Sequence, residues 1–322
     1  MRKANRVLNF CFIMMLFISG VTASNNKIVK QDDKKEEGYK LVWVDYFDGP
    51  VLDESNHWSI VLNGKGGGNR EMQYYKRDNI EVGKEPVTGE NCLIISAKKE
   101  NYLFKKFTSG KIYSRNKISF RYGKIEARIK LPKTANGLWP AFWLLGSDYP
   151  KAAWPKCGEI DIMEMGNNNG IIHGTQDRFF NGACHWGEKF NHGSYPNYAK
   201  ASTHPYCLQD GFHLYSLIWD QNNLKMYVDL DKYPDTDPYF EMPINGADVN
   251  NSAAHYFHKQ FFIVFNLAVG GNFTGIHDVN KITALKDGEA KMYVDFVKVY
   301  QKGIDGEEFN GPKSGITELK GN

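Results

Sequence analysis

Short apolar or alternating runs, separated by turn residues, dominate the chain from Tyr39 onward. A period of two places every second side chain on one face of an extended strand, so such runs predict β-strands. No stretch keeps a helical period for more than a couple of turns. The predicted strands cover residues 41–44, 92–95, 124–131, 212–219, 224–230, 260–269 and 291–300. Residues 220–223 join two of them as a hairpin, and the whole set predicts a two-sheet β-sandwich.

One further strand pattern carries an unusual amount of charge. Residues 158–165 read Gly-Glu-Ile-Asp-Ile-Met-Glu-Met, which puts three carboxylates within six residues. Alternation places Glu159 and Asp161 on one face. Glu164 has the other parity, and one extra residue near Met163, a β-bulge, would return it to the acidic face. Burying three unpaired carboxylates costs free energy, which favours a functional reason; a solvated acidic strand edge is the plainer alternative.

Aromatic side chains flank the acidic run. Residues 138–145 (Leu-Trp-Pro-Ala-Phe-Trp-Leu-Leu) precede it, and residues 181–186 (Asn-Gly-Ala-Cys-His-Trp) follow it. Aromatic rings stack against the C–H faces of pyranose sugars, and two glutamates around a third acid are the equipment of a retaining glycosidase. The pattern therefore predicts a sugar-binding cleft with paired catalytic acids.

With its bulged spacing, the acidic motif resembles that of glycoside hydrolase family 16, on the branch that contains laminarinases and agarases. Four other segments agree with that branch, and the resemblance covers residues 40–302 in the family's order. They are Gly-Asn-Arg-Glu-Met-Gln-Tyr-Tyr at 68–75, Ser-Gly-Lys-Ile at 109–112, Tyr-Gly-Lys-Ile-Glu-Ala-Arg at 122–128 and Phe-Asn-Leu-Ala-Val-Gly-Gly-Asn-Phe at 265–273. The family implies an all-β, concanavalin A-like jelly roll in which one sheet forms a concave substrate cleft.

By motif position, the resemblance makes Glu159 the nucleophile and Glu164 the general acid/base of a double displacement. Negative charge on Glu159 is expected to raise the pKa of Glu164, which keeps that acid protonated for the first step. Asp161 is expected to hydrogen-bond Glu159 and to tune their coupled titration; a simple strand-edge acid is the alternative. The chemistry requires no cofactor.

The resemblance also implies residues around the cleft. His185 matches a family histidine near the acid/base, where it would orient Glu164 or bind substrate; a purely structural histidine is the alternative. Trp139 and Trp143 would line the glycone side, with core packing as the competing interpretation. The other expected contacts are Trp186 on the aglycone side and, to sugar hydroxyls, Asn69, Glu71 and Arg115. Asp295 resembles the position that holds a structural calcium in many members, which predicts a calcium ligand there.

The ends of the chain predict export. Three basic residues precede an apolar stretch at 7–18 that is too short to span a bilayer, and Val-Thr-Ala at 21–23 gives a small-residue cleavage site. A retained membrane anchor is the alternative. The predicted organisation is a signal peptide at residues 1–23, a polar spacer at 24–37, a catalytic β-sandwich at 38–302 and a polar tail at 303–322 that is exposed or disordered.

The net charge of the chain limits the kinds of molecule that it is expected to bind. Removal of the signal peptide takes away Arg2, Lys3 and Arg6, so 40 basic residues become 37, against 37 acidic residues, and the formal net charge falls from +3 to zero. A neutral chain has no long-range attraction for phosphate backbones or anionic membranes. We therefore expect a secreted, periplasmic or cell-surface monomer that acts on a polysaccharide, with no nucleic-acid partner and no membrane span.

Four cysteines remain in the exported chain: Cys92, Cys157, Cys184 and Cys207. They lack the close pair spacing of a zinc site, and three disulfide connectivities are available if all four pair. A pair between Cys157 and Cys184 near the cleft and a set of buried free thiols both remain open.

Two departures from the usual laminarinase pattern bear on the substrate. Phe273 stands where a tryptophan commonly follows the Gly-Gly-Asn turn, and the segments at 174–181 and 192–206 are unusually polar and aromatic. Loops at the rim of a cleft select the sugar that fits. We expect an endo-acting β-glycosidase with a β-1,3-glucan substrate, laminarin-type or mixed-linkage, ahead of β-galactosyl glycans such as agar-like polymers, poly-N-acetyllactosamine or host O-glycans. A transglycosylase and a non-catalytic glycan-binding protein are the remaining alternatives.

Overall fold

A computed structural model describes residues 38–190 and 194–312. The predicted signal peptide, the polar spacer and the last ten residues of the predicted tail lie outside these ranges. Within them the chain forms nineteen strands, β1 to β19 in chain order, and two short helices, α1 and α2.

The strands form two sheets, and nearly all pairs are antiparallel. The ten-stranded sheet contains β1 (Lys40–Asp45), β3 (Gln73–Tyr75), β4 (Ile80–Lys84), β5 (Asn91–Lys98), β6 (Phe107–Ser109), β9 (Gly123–Lys130), β14 (His213–Trp219), β15 (Asn223–Val228), β16 (Phe240–Pro243) and β18 (Glu289–Gln301). The nine-stranded sheet contains β2 (Ser59–Ile60), β7 (Lys111–Tyr113), β8 (Ser119–Arg121), β10 (Leu138–Gly146), β11 (Glu159–Met165), β12 (Phe179–His185), β13 (Asn197–Thr203), β17 (Phe261–Val269) and β19 (Glu308–Asn310). Only β3 and β6 pair in parallel among the described strands.

The fold is the predicted all-β sandwich of the jelly-roll type. Each of the predicted runs overlaps a strand, and β14 and β15 form the predicted hairpin. The helices α1 (Asn168–Ile172) and α2 (Ala253–Tyr256) are about one turn each. No helix in the described part of the chain has the length and apolar character needed to cross a bilayer.

One continuous core lies between the sheets and explains why the strands alternate. The inward side chains of the central strands are buried completely, and the Phe142 ring on β10 stacks on Phe265 of β17 with centroids 4.9 Å apart. Along the nine-stranded sheet the main order is β13, β12, β11, β10, β17, β7 and β2. Strand β11 is therefore held on both sides, which fixes the position of every side chain on its outer face.

The chain continues the sandwich beyond the predicted domain boundary at residue 302. Strand β19 pairs with β8, and Phe309 packs against the core next to Phe120. The Gln301 side-chain amide donates to the Glu308 carbonyl oxygen at 2.9 Å, and Arg121 forms an ion pair with Glu308 at 2.8 Å. A three-residue strand is too short to show a period in the sequence, so the pattern alone gave no sign of it.

The four described cysteines are free thiols, which decides between the two alternatives left open by the sequence. Cys92, Cys157 and Cys184 are buried. Burial raises the pKa of Cys157 to about 12 and that of Cys184 well above its ordinary value. Thiols of this kind stay protonated and behave as small apolar side chains.

Replacing Phe142 with alanine should lower the free energy of unfolding by about 3–5 kcal/mol, because it leaves a cavity between the two sheets. Urea unfolding followed by tryptophan fluorescence would measure the change. Val87→Ala is the control, since Val87 is 83% exposed and surface changes are usually within about 0.5 kcal/mol. Equal losses for both variants would contradict this account of the core.

Candidate active site

The register of β11 against its neighbours brings the three acids onto one face. Asp161 pairs with Ala183 of β12, and Glu164 pairs with Asn181 of the same strand. Three residue steps along β11 therefore lie opposite two residue steps along β12. The register against β10 shifts at the same place. The predicted β-bulge is therefore present between Asp161 and Glu164, and it returns Glu164 to the outer face that carries Glu159 and Asp161.

Burial raises the pKa of all three carboxyl groups. It is the largest cause in each case, and it brings the pKa of Glu159 to about 8 and raises that of Glu164 well above its usual range. For Glu164, the next cause is the charge of Asp161, and Glu159 contributes less than Asp161. The sequence-based explanation named only the Glu159 charge. Burial of the Glu164 carboxyl group raises its pKa more than the Glu159 charge does, because the side chains of the cleft floor pack around this carboxyl group.

Three groups favour the ionised form of Glu159. The positive charges of His185 and Lys111 and a hydrogen bond from the Trp154 side chain all lower its pKa against the effect of burial. Glu159 can thus give up its proton while Glu164 keeps its own. Two carboxyl groups with different proton occupancy are what acid and nucleophile roles require.

Trp139 contacts the acid/base candidate directly. Its indole N–H donates to Glu164 Oε1 at 2.9 Å, and its ring stacks on Phe273 with centroids 4.5 Å apart and an interplanar angle of 12°. The tryptophan was predicted to line the cleft or to pack in the core. It is 9% exposed and acts mainly as a hydrogen-bond donor that fixes one oxygen of Glu164.

His185 lies beside Asp161, and its charge also acts on Glu164. Its Nε2 is 3.2 Å from Asp161 Oδ2, and on the strand it is the cross-strand partner of Glu159. The resemblance predicted a histidine near Glu164 that orients this acid or binds substrate. Because β12 is antiparallel to β11, Asn181 and not His185 stands opposite Glu164. Asp161 is thus paired with this histidine, and its expected hydrogen bond to Glu159 remains a prediction.

The other half of the cleft floor contains a linked set of polar groups. The Trp143 indole N–H donates to Asn266 Oδ1 at 2.7 Å. The Lys111 ammonium lies 4.5 Å from the centre of the Trp143 ring, and the charges of Glu71, Glu159 and Asp161 all act on it. Trp143 is therefore held in place by Asn266 and Lys111. Lys111 also supplies a positive charge beside the acids of β11.

Glu71 is a buried acid with its own partners. Its Oε2 accepts hydrogen bonds from Gln73 Nε2 at 2.6 Å and from the Tyr75 hydroxyl at 3.0 Å. Asn69 lies in the turn just before it, where its carbonyl oxygen accepts from the backbone N–H of Asn272. These contacts join the turn at Asn69 to the turn after β17. A direct contact of either residue with sugar remains a prediction.

Trp186, which was predicted to line the aglycone side, is mostly buried. It is 8% exposed, its indole donates to the Asn251 carbonyl oxygen at 3.0 Å, and its ring packs edge-on against Phe257. It follows His185 by one residue, so strand alternation turns it towards the core face. Arg115 lies at the rim, stacked over the rings of Tyr113 and Tyr149.

Sequence reasoning did not identify three site residues: Lys111, Trp154 and Tyr195. Lys111 lay within a segment matched to the family, and that match was the available signal. Trp154 and Tyr195 come from irregular loops, and their rings meet 4.7 Å apart beside His185. Loops have no period, so nothing in the sequence pattern brings these two residues together.

Asp295, the predicted calcium ligand, forms an ion pair with Arg128. Its Oδ2 accepts a hydrogen bond from Arg128 Nη1 at 2.7 Å, so a guanidinium already neutralises this buried carboxylate. Across the described residues, three potential side-chain ligands of a metal come together only at Glu159, Asp161 and His185. Those three belong to the acidic row itself, and calcium binding at Asp295 remains a prediction.

Replacing Glu159 with glutamine should stabilise the fold in a pH-dependent way. The folded-state pKa of about 8 lies above the ordinary value of 4.5, so wild-type stability falls as pH rises from about 4.5 to about 8. The gain from Glu159→Gln should be small at pH 4, grow through that window and level off above it. Thermal unfolding at several pH values would measure it, with the exposed Glu81→Gln as control. A gain that is equal at every pH would contradict the assignment.

The protein-family model that matches the chain is "Glycosyl hydrolases family 16", over residues 72–242. A "Beta-glucanase" of Rhodothermus marinus is 31% identical over 88% of this chain and 93% of its own length. The "Clotting factor G alpha subunit" of Tachypleus tridentatus is 34% identical over 83% of this chain, and the chain spans 34% of the length of that relative. A "Keratan-sulfate endo-1,4-beta-galactosidase" of Sphingobacterium multivorum is 27% identical over 86% of this chain and 59% of its own length.

Solved structures show the same similarity in three dimensions. A glycoside hydrolase family 16 endo-glucanase from Bacteroides ovatus, in complex with G4G3G-2F-DNP, is 40% identical with a TM-score of 0.69. The match covers 80% of this chain and 99% of that chain. The model match extends over more than half of the sequence and includes the acidic strand β11. The chain belongs to family 16 of the glycosyl hydrolases.

Proposed function

We propose that the chain is an exported, endo-acting, retaining β-glycosidase that hydrolyses internal linkages of β-1,3-glucans, laminarin-type or mixed-linkage. The observation that carries the proposal is the bulged strand β11, which presents two glutamates and an aspartate on one face with unequal tendencies to hold a proton. Water-excluded paired carboxyl groups are the machinery for cleaving a glycosidic bond by double displacement.

In the first step, the ionised Glu159 attacks the anomeric carbon while Glu164 transfers its proton to the oxygen of the departing sugar. The carbon–oxygen bond to the leaving group breaks as the ester bond to Glu159 forms. In the second step, Glu164 takes a proton from water, and the water oxygen displaces Glu159 from the anomeric carbon. Esterification removes the Glu159 charge and so makes Glu164 more acidic, which suits its change from acid to base.

The surrounding groups support these roles. Lys111 and His185 favour the ionised nucleophile, while the Trp139 indole fixes one oxygen of Glu164. The negative charge of Asp161 helps to keep the proton on Glu164, whereas the positive charge of His185 acts in the opposite direction. Outer-face positions continue across the sheet from β7 to β13 on both sides of β11, and a floor of this extent suits internal cleavage of a long polymer.

The comparisons support a glucan substrate more than a galactan. Two similar proteins are named as glucanases, the endo-glucanase of Bacteroides ovatus and the beta-glucanase of Rhodothermus marinus. Both are more identical to this chain than the keratan-sulfate galactosidase is. An endo-β-galactosidase acting on host glycans or agar-like polymers is the second candidate, and its support is the galactosidase relative together with the polar, aromatic rim segments. A transglycosylase would use the same glycosyl-enzyme, and a non-catalytic glycan-binding protein would need neither glutamate, although both are present.

The first experiment is a product screen of wild type beside Glu159→Gln and Glu164→Gln, with reducing-end and mass-spectrometric detection. The panel holds laminarin, mixed-linkage glucan, agarose, keratan-type glycan and mucin O-glycans. We expect oligosaccharides from laminarin or mixed-linkage glucan. For Glu164→Gln we expect a loss of about 10²–10⁴-fold, as for other general acids, and for Glu159→Gln no turnover.

The control is Gln221→Glu, a carboxamide–carboxylate exchange at an exposed position away from the acidic row. Products only from keratan-type or mucin glycans would favour the galactosidase candidate. Glycan binding without product release from any member of the panel would overturn the hydrolase proposal.

A further inference from the structure

Asn181 has an unpartnered buried oxygen beside the acid/base candidate. The residue is 9% exposed, and its Oδ1 has no hydrogen-bond donor among the described residues. A buried amide oxygen without a donor destabilises the fold, so its presence calls for a partner. A proton on a neighbouring carboxyl group can supply this donor.

Glu164 is the neighbour that has a proton to give. It is the direct cross-strand partner of Asn181, and side chains of directly opposed residues have Cβ atoms about 4.5–5.5 Å apart, within reach of one hydrogen bond. Trp139 already donates to Glu164 Oε1 at 2.9 Å from the β10 side. Asn181 stands on β12, on the other side of Glu164 from β10, and this position faces the second carboxyl oxygen.

We propose that Asn181 is a positioning residue that accepts a hydrogen bond from the protonated Glu164 and thereby holds this acid in its proton-carrying form and rotamer. The inference rests on the proposed role of Glu164 and extends it. A hydrogen bond to the neutral form of a carboxyl group opposes loss of its proton. Trp139, which donates to the carboxylate, has the opposite effect, so the two neighbours of Glu164 set its acidity from opposite sides.

Other charged and titratable groups around Glu164 must stay constant in the test. Glu159 and Asp161 lie on the same strand and His185 on β12, and each affects its pKa. The Glu164 charge also contributes to the raised pKa of the Tyr195 and Tyr239 hydroxyls. Substituting Asn181 changes none of these groups. Asn181→Leu removes the amide at nearly constant volume, and Asn181→Asp keeps an oxygen acceptor while adding negative charge.

The direct test is an infrared titration of the Glu164 carboxyl group in the free protein, obtained as the difference between each protein and its Glu164→Gln counterpart. We expect the midpoint to fall in Asn181→Leu and to rise in Asn181→Asp. The measurement needs no substrate, so it stands even if the screen identifies a different sugar. An unchanged midpoint in a folded Asn181→Leu protein would overturn the proposal.

A kinetic test separates positioning from a merely structural role. On a β-glucan oligosaccharide, whose leaving group needs the acid, the basic limb of kcat/KM for Asn181→Leu should move to lower pH. The loss at that limb should be about fivefold or more, from one hydrogen bond. On a 2,4-dinitrophenyl glycoside of the same glycone, which departs without a proton, kcat/KM should stay at the wild-type value. Equal losses on both substrates across all pH values would indicate general disruption and count against the inference.

Discussion

The packing of three carboxyl groups on the outer face of β11 is the constraint on which the site depends. Each of these groups loses water when the sheet forms, and the nearby positive charges are Lys111 and His185. Charges removed from water without full compensation take up protons. Carboxyl groups on this strand therefore stay protonated at pH values where free carboxyl groups are ionised. A protonated carboxyl group is what general acid catalysis needs.

The sandwich supplies the rigidity that such an arrangement requires. Strand β11 is hydrogen-bonded to β10 and β12, and its inward side chains Ile160 and Ile162 are fully buried in the core. The carboxyl groups cannot move apart to relieve their repulsion without disrupting this packing. The same contacts that stabilise the fold thus maintain a locally unfavourable cluster, a common relation between stability and activity in enzymes.

The neighbours of the row give each acid its own character. Glu164 contacts an indole from β10 and stands opposite an amide on β12, whereas Asp161 meets an imidazole on β12. Glu159 lies within the influence of Lys111 and of the loop residue Trp154. Chemically identical groups on one strand differ because the adjacent strands place different side chains beside each of them.

The sequence by itself determined the fold class, most strands and the acidic face with its bulge, because a period of two and its single interruption are local properties of the chain. Through the family resemblance it also predicted Trp139 and Trp143 as cleft residues. Only the tertiary structure decided that His185 meets Asp161, that Trp186 is buried, that Arg128 pairs with Asp295 and that β19 joins the second sheet. Those contacts join residues far apart in the chain, and their partners are fixed by strand register and loop paths that no local pattern encodes.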